Sequence, residues 1–240
     1  MKELENVGAA AKEDIDALVQ RFKACLENRL AAIIIFGSVA HKRFVPGRSD
    51  IDLLGVVHPY PSTSQKNKMV ASLTDMHSTF DIVVTSPDLL NLNKVPTPIL
   101  FRIKMNQNIV EKEKGTIDFV LNRQDAYEAG VWLLPNSSVK ITPVPHEVLK
   151  ESVVEMLPYL ATRFKNPILS LCRSVYTCQY GEMCSKVEAG VWALENLDRK
   201  WSFAIRDDLN RYQNGYEGFK DQNYSDRFSE FCKHFIKNIR

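Results

Sequence analysis

Residues 34–54 read IIFGSVAHKRFVPGRSDIDLL, and this stretch limits what the chain can fold into more than any other. Two apolar β-rich runs flank a polar middle that opens on Gly37-Ser38 and closes on Ser49-Asp50-Ile51-Asp52. Aspartate is disfavoured in strands, and burying its charge without a partner is costly. Alternation along a strand puts residues i and i+2 on one face, so Asp50 and Asp52 are expected to share a face while Ile51 and Leu53 take the other. Their carboxylates stand about 6–7 Å apart along an extended chain and repel each other unless a cation lies between them. Hard oxygen ligands on a rigid strand suit Mg²⁺, which binds through one or two carboxylates together with substrate phosphates.

Gly37 ends the first run, where a residue without Cβ lets the backbone approach a ligand. Ser38 is placed to cap a short helical turn over 39–44, and free N–H groups at such a start favour phosphate. Pro46-Gly47 turns the chain into the strand DIDLLGVV. A third strand, TFDIVVTS, brings Asp81 near its start, so three carboxylates are available for two ions roughly 3.5–4 Å apart, the spacing used for in-line displacement at phosphorus. Of the basic loop residues His41, Lys42, Arg43 and Arg48, Arg48 is expected to reach a triphosphate and the others to be exposed.

Elsewhere the patterns are conventional. Apolar spacing predicts a helix over 13–28 carrying Ile15, Leu18, Val19, Phe22 and Leu26. It predicts another over 66–78 and a possible strand over 99–105. IDFVLNRQDAYEAGVWLLP reads as a helix running into a short extended piece. Prolines at 135, 143 and 145 mark a linker, and beyond it every segment is helical: 146–164, 166–181, 185–197, 200–213 and 225–239. The expected architecture is α+β, with a mixed-sheet domain over 1–145 followed by an all-helical domain over 146–240.

Composition excludes several classes. A net charge of +2 gives no basic arm for nucleic acid and no acidic tail. Five cysteines with neither a CxxC pair nor zinc spacing fit reduced thiols. The N-terminus lacks the apolar core of a secretory signal, and the longest apolar run, Leu30 to Phe36, is too short to span a bilayer. A cytoplasmic, soluble monomer is the expectation. The five histidines form no HxxxH or HExxH pattern and read as surface or capping residues.

FGSVAHKRFVPGRSDIDLL, with Asp81 in FDIVV, resembles the polymerase-β-type nucleotidyltransferase superfamily, whose signature is a Gly-Ser turn, an Asp-x-Asp pair and a third acid on a later strand. Within it the chain is similar to the aminoglycoside adenylyltransferases that modify streptomycin and spectinomycin. DFVLNRQDAYEAGVWLLP and NPILSLCRSVYTCQYGEMCSKVEAGVWALENL extend the likeness, which covers most of 30–212. The resemblance implies transfer of AMP from ATP onto a hydroxyl of a small acceptor, an aminoglycoside or aminocyclitol being favoured. Gly37, Ser38, Ser49 and Arg48 would hold the phosphates and Asp50, Asp52 and Asp81 two Mg²⁺ ions. Asp81 would also draw the acceptor proton, although the family has a glutamate there.

The helical domain departs from the family more. A family aspartate that binds the aminoglycoside falls at Val187, an arginine at Asn196 and a tryptophan near Val175. Glu182 and Glu188 flank the same turn and are the expected substrate-binding acids, with Glu195, Asp207 and Asp208 as further candidates for an acidic cleft beside the metal site. Arg206 and Arg211 are candidate phosphate cations, and Trp192 is read as core. Two other functions fit the same residues: an adenylyltransferase acting on a protein hydroxyl, and a nucleotide-binding module without turnover.

Overall fold

A computed structural model describes all residues except 1–3, 5–6, 105–106, 111–114, 164–165, 217–220 and 239–240. The predicted element ends at Met105, Phe164 and Ile239 lie outside the described residues. The chain forms two compact units, Met1–Val144 and Pro145–Arg240.

In the first unit, helix α1 (Ala9–Leu26) leads into β1 (Leu30–Phe36), the single turn α2 (Gly37–Ala40) and β2 (Ile51–Val57). Then come α3 (Thr63–Ala71), β3 (Phe80–Thr85), the single turn α4 (Pro87–Leu90), β4 (Phe101–Lys104) and β5 (Gln107–Val110). Helix α5 (Phe119–Ala129) and β6 (Val131–Leu134) complete it. The six strands make one mixed sheet in the order β5-β4-β3-β2-β1-β6, in which only β2 and β3 run parallel.

Strand alternation decides which residues face which helix. Ile33, Ile35, Ile51, Leu53, Phe80, Ile82, Phe101 and Ile103 pack on one face with Ile15, Leu18, Phe22 and Leu26 of α1. Ile34, Phe36, Leu54, Val56 and Val83 pack on the other with Leu90 of α4 and Phe119 and Ala126 of α5. Asp52, Asp81, Arg102 and Lys104 share the parity of this second set, so the polar residues of β2, β3 and β4 address the α5 face.

Helix α3 begins three residues before the predicted start, because Ser62 and Gln65 form a reciprocal capping box. It ends at Ala71, well short of the predicted 78. Arg123 of α5 is fully buried. It spends its guanidinium on the carbonyls of Leu90 (3.2 Å) and Leu92 (3.0 Å) and on Asn93 Oδ1 (2.6 Å), while its Nε finds no partner among the described residues. Burial lowers its pKa to about 10, which leaves it charged at neutral pH.

The second unit contains α6 (His146–Arg163), α7 (Pro167–Tyr180), α8 (Lys186–Asn196), α9 (Ser202–Asn214) and α10 (Gln222–Lys237). Gly181, at φ +71°, stops α7 in the left-handed conformation. Asp208, expected in an acidic cleft, is instead fully buried. It accepts the Leu169 N–H at 3.0 Å, satisfying one of the free donors at the start of α7. Asp207 pairs with Arg211 one helical turn on, at 2.6 Å, which accounts for two more of the charges expected at a site.

Candidate active site

Gly37 follows directly on β1, Asp52 is the second residue of β2 and Asp81 the second of β3. Asp52 pairs in register with Phe36 on one side and with Asp81 on the other. The end of β1 and the beginnings of β2 and β3 therefore meet at one edge of the α5 face. Gly37 has φ +68°, and a Cβ built on it would stand 2.2 Å from Asp52 Oδ2. Gly37→Ala is accordingly expected to cost about 1–3 kcal/mol and to expel the Asp52 carboxylate from its place; a thermal melt indistinguishable from wild type would refute this.

Asp52 collects the negative potential of the site. Its pKa is raised to about 8, first by burial, then by the charges of Asp81, Asp50 and Asp125, with Arg102 acting the other way. Asp50 lies one residue before β2 and is exposed. It is thus not held on the strand beside Asp52, as the Asp-x-Asp spacing suggested, because ladder pairing starts only at Ile51, whose N–H reaches the Thr79 carbonyl at 2.8 Å.

Asp81 is buried and engaged. Arg102 Nε donates to one of its oxygens at 2.6 Å and Nη2 to the other at 2.7 Å. Lys104 Nζ stands 3.3 Å away, and Arg102 Nη1 reaches Asp118 at 2.7 Å. Among the described residues, no group of three or more His, Cys, Asp or Glu side chains is gathered so that it could hold one ion. The three acids expected to converge on metal are therefore neighbours without forming one ligand cluster: Asp50 sits outside the strand, and Asp81 is turned onto a guanidinium.

The Gly-Ser turn also differs in detail from expectation. The Gly37 N–H donates to Asp125 Oδ2 at 2.6 Å, so Gly37 contributes the space it leaves for Asp52, and its amide is already used. Turn α2 starts at Gly37 with no side-chain cap; the Ser38 hydroxyl lies 3.5 Å from the Asp50 carbonyl, the outer limit of a hydrogen bond. The Ser49 hydroxyl accepts the Val45 N–H at 3.2 Å and closes its own loop. Arg48 is exposed.

Sequence reasoning missed Asp125 altogether. It is buried on α5 and holds both Gly37 and His41, whose Nε2 lies 2.5 Å from Oδ1. His41 is thus a partner of the turn and not the exposed loop charge expected. The stretch Asn122-Arg123-Gln124-Asp125 interrupts the apolar pattern, and that interruption was the available signal.

In the helical unit Trp192 is half-buried instead of core. It meets Tyr176 edge-on with centroids 5.6 Å apart and Tyr180 at 6.0 Å, while Tyr176 and Tyr180 lie 4.7 Å apart. Trp192 Nε1 donates to the Tyr180 hydroxyl at 3.0 Å. The Tyr176 hydroxyl is pushed up in pKa by burial first, then by Cys184, Glu182, Tyr180 and Glu188, which places both glutamates within electrostatic reach of the ring cluster. Glu188 also accepts the Ser185 N–H at 2.9 Å in a capping box that starts α8, so its carboxylate is partly committed. Glu182 is exposed beside the Gly181 turn.

Comparison with known proteins follows this division of the chain. Residues 20–115 match the family described as Polymerase beta, Nucleotidyltransferase. Residues 141–238 match the Aminoglycoside adenylyltransferase, C-terminal domain. No curated protein is matched by its sequence. The fold is similar to the crystal structure of spectinomycin adenyltransferase AAD(9) from Enterococcus faecialis with ATP and spectinomycin. That likeness has a TM-score of 0.79 at 16% identity and covers 95% of this chain and 99% of the other. A STING-associated CdnE c-di-GMP synthase from Capnocytophaga granulosa, 12% identical over 98% of this chain and 84% of that one, superposes with a TM-score of only 0.29, and nothing is drawn from it.

Proposed function

Because the chain belongs to the polymerase-β-type nucleotidyltransferases and carries the C-terminal domain of the aminoglycoside adenylyltransferases, we propose that it moves AMP from ATP onto a hydroxyl of a small aminocyclitol-like acceptor. The observation that carries this reading is the meeting of Gly37, Asp52 and Asp81 at one edge of the α5 face. A fold shared with an enzyme crystallised with ATP and spectinomycin supports it.

The residues fit a hard divalent cation at Asp50 and Asp52. Both offer oxygen and Asp50 is open to solvent; Asp52 is raised to about 8 first by burial and then by the charges of Asp81, Asp50 and Asp125, and a cation would relieve the repulsive part of that shift. Mg²⁺ bound there supplies charge neutralisation to the phosphates and acidifies an attacking hydroxyl. Ser38, half-buried in turn α2, and the exposed Arg48 are assigned contact with the phosphate tail. The proton of Asp52 must leave before a cation binds, so ion affinity rises with pH up to about 8 and levels off beyond it. The two-ion form of this chemistry also needs an open oxygen on Asp81.

The helical unit, residues 146–240, is assigned the acceptor. Tyr176, Tyr180 and Trp192 present aromatic faces beside Glu182, a combination that suits an ammonium group through cation–π and ionic contact. Trp192→Ala and Glu182→Gln are expected to raise the acceptor KM about tenfold with kcat nearly unchanged, as for an interaction made equally in ground and transition states. A fall in kcat at unchanged KM would argue against an acceptor role. The function itself is tested by incubating the protein with ATP, Mg²⁺ and spectinomycin, streptomycin or lincomycin. Acceptor-dependent pyrophosphate release supports it, and none with any of a broad acceptor panel removes it.

A further inference from the structure

The chemistry just proposed asks three carboxylates for open oxygens, and the structure closes one of them. Asp81 and Arg102 are joined through two parallel hydrogen bonds, 2.6 and 2.7 Å long, the fork geometry in which arginine binds a carboxylate most strongly. Their side chains are only 11% and 12% exposed. The far end of the guanidinium is fixed to Asp118 at 2.7 Å. Strand register explains the arrangement: Lys104 stands directly opposite Asp81, and Arg102 stands opposite Val83 on the same face. The four groups, Asp81, Asp118, Arg102 and Lys104, balance to zero charge.

An arginine guanidinium is protonated throughout the range in which a protein is folded, and Asp81 and Asp118 both hold this one by hydrogen bonds. Arg102 therefore stays cationic. A hydrated Mg²⁺ dehydrates reluctantly, and removing one partner of a buried ion pair strands the other. Both facts disfavour exchange of the guanidinium for a second ion.

We propose that Arg102, assisted by Lys104, supplies in fixed form the positive charge that a second divalent ion supplies elsewhere. This chain then takes one ion, on Asp50 and Asp52, and Asp81 serves to anchor Arg102. The inference rests on the nucleotidyltransferase reading above and gives Asp81 the part of a positioning residue, acting through Arg102.

Mn²⁺ titrated into the full chain and counted by electron paramagnetic resonance tests it without reference to turnover. Wild type is expected to bind one ion, and Asp52→Asn to lose it. The paired variant Asp81→Asn/Arg102→Gln, which leaves no buried charge stranded, is expected to keep the ion with affinity changed by less than about tenfold, the lower end of what an outer-shell partner contributes. Arg102→Gln alone frees Asp81 and raises the count to two, while Arg102→Lys keeps it at one. Two ions in wild type, or loss of the ion in the paired variant, would overturn the proposal. Should Arg102→Gln not fold, wild type and the paired variant still decide it. A one-ion pattern in a protein that modifies no acceptor would leave this assignment standing and defeat the function; two ions in an active enzyme would do the reverse.

Discussion

Asp52→Asn is expected to lower acceptor-dependent pyrophosphate release by at least about 10³-fold, the scale on which removing a central electrostatic group acts. It should at the same time stabilise the ion-free protein at pH 8. Both effects have one origin. The folded-state pKa of Asp52 is raised from the ordinary value of 3.8 to about 8, so folding favours its protonated form. Stability from this group is fully present below about pH 4 and is lost as pH rises through about 8. Asparagine cannot ionise, so the variant keeps that stability at pH 8. After discounting for partial exposure, the difference is about 1–3 kcal/mol. Thermal melts of wild type and variant at pH 5 and pH 8, with chelator, measure it. Equal midpoint shifts at both pH values would contradict the electrostatic account, and added Mg²⁺ should raise the wild-type midpoint more than that of the variant.

The second large effect concerns the scaffold. Arg123→Ala is expected to destabilise the first unit by about 3–5 kcal/mol, since it deletes the largest fully buried side chain and strands the groups it held. The carbonyls of Leu90 and Leu92 close the short α4 segment, and Arg123 is the group that ties them to α5. Because α5 also carries Asp125, which holds the Gly37 amide and His41, loosening this clamp should reach the Gly-Ser turn. Arg123→Lys, shorter and without the planar fork, should recover only part of the loss. Chemical denaturation with a midpoint unchanged in Arg123→Ala would show that the buried guanidinium is not a clamp.

How much of this was legible in the sequence depends on the range of the interactions involved. Local periodicity and turn chemistry sufficed for β1, β2 and β3 and for the adjacency of Gly37 to a strand end. They also sufficed for the run of helices after Pro145, where apolar spacing of three and four residues repeats through α6 to α10. The placement of Asp52 on a face followed from strand alternation, which needs no tertiary knowledge.

What escaped depended on pairing across the sheet. Arg102 and Lys104 are unremarkable in the string FRIK, and only the β3–β4 register brings them onto Asp81. Asp125 sits in a segment read only as a helix, and its carboxylate is satisfied by groups 84 and 88 residues away. Asp208, a candidate for an acidic cleft, is instead engaged by the Leu169 N–H at 3.0 Å and the Asn166 side-chain amide at 3.4 Å, 39 and 42 residues away. Trp192 was read as core; its ring partners Tyr176 and Tyr180 lie on the preceding helix.

The departures from the family in the helical unit acquire a physical sense from this cluster. With Val187 where an acid is usual and Asn196 where an arginine is usual, an acceptor loses ionic contacts. Under the acceptor role proposed above, the rings of Tyr176, Tyr180 and Trp192, with Glu182 in electrostatic reach, would offer an aromatic surface to a cationic ring system. In that role, acceptor choice is therefore expected to differ from that of enzymes with an acid and an arginine at these two positions.

The most direct measurement is the mass of the acceptor after incubation with the protein, ATP and Mg²⁺. A gain of one AMP residue on at least one aminocyclitol-type compound, present with wild type and absent with Asp52→Asn, is the predicted result. Acceptors that all return unmodified, or a mass gain that persists in Asp52→Asn, would contradict it.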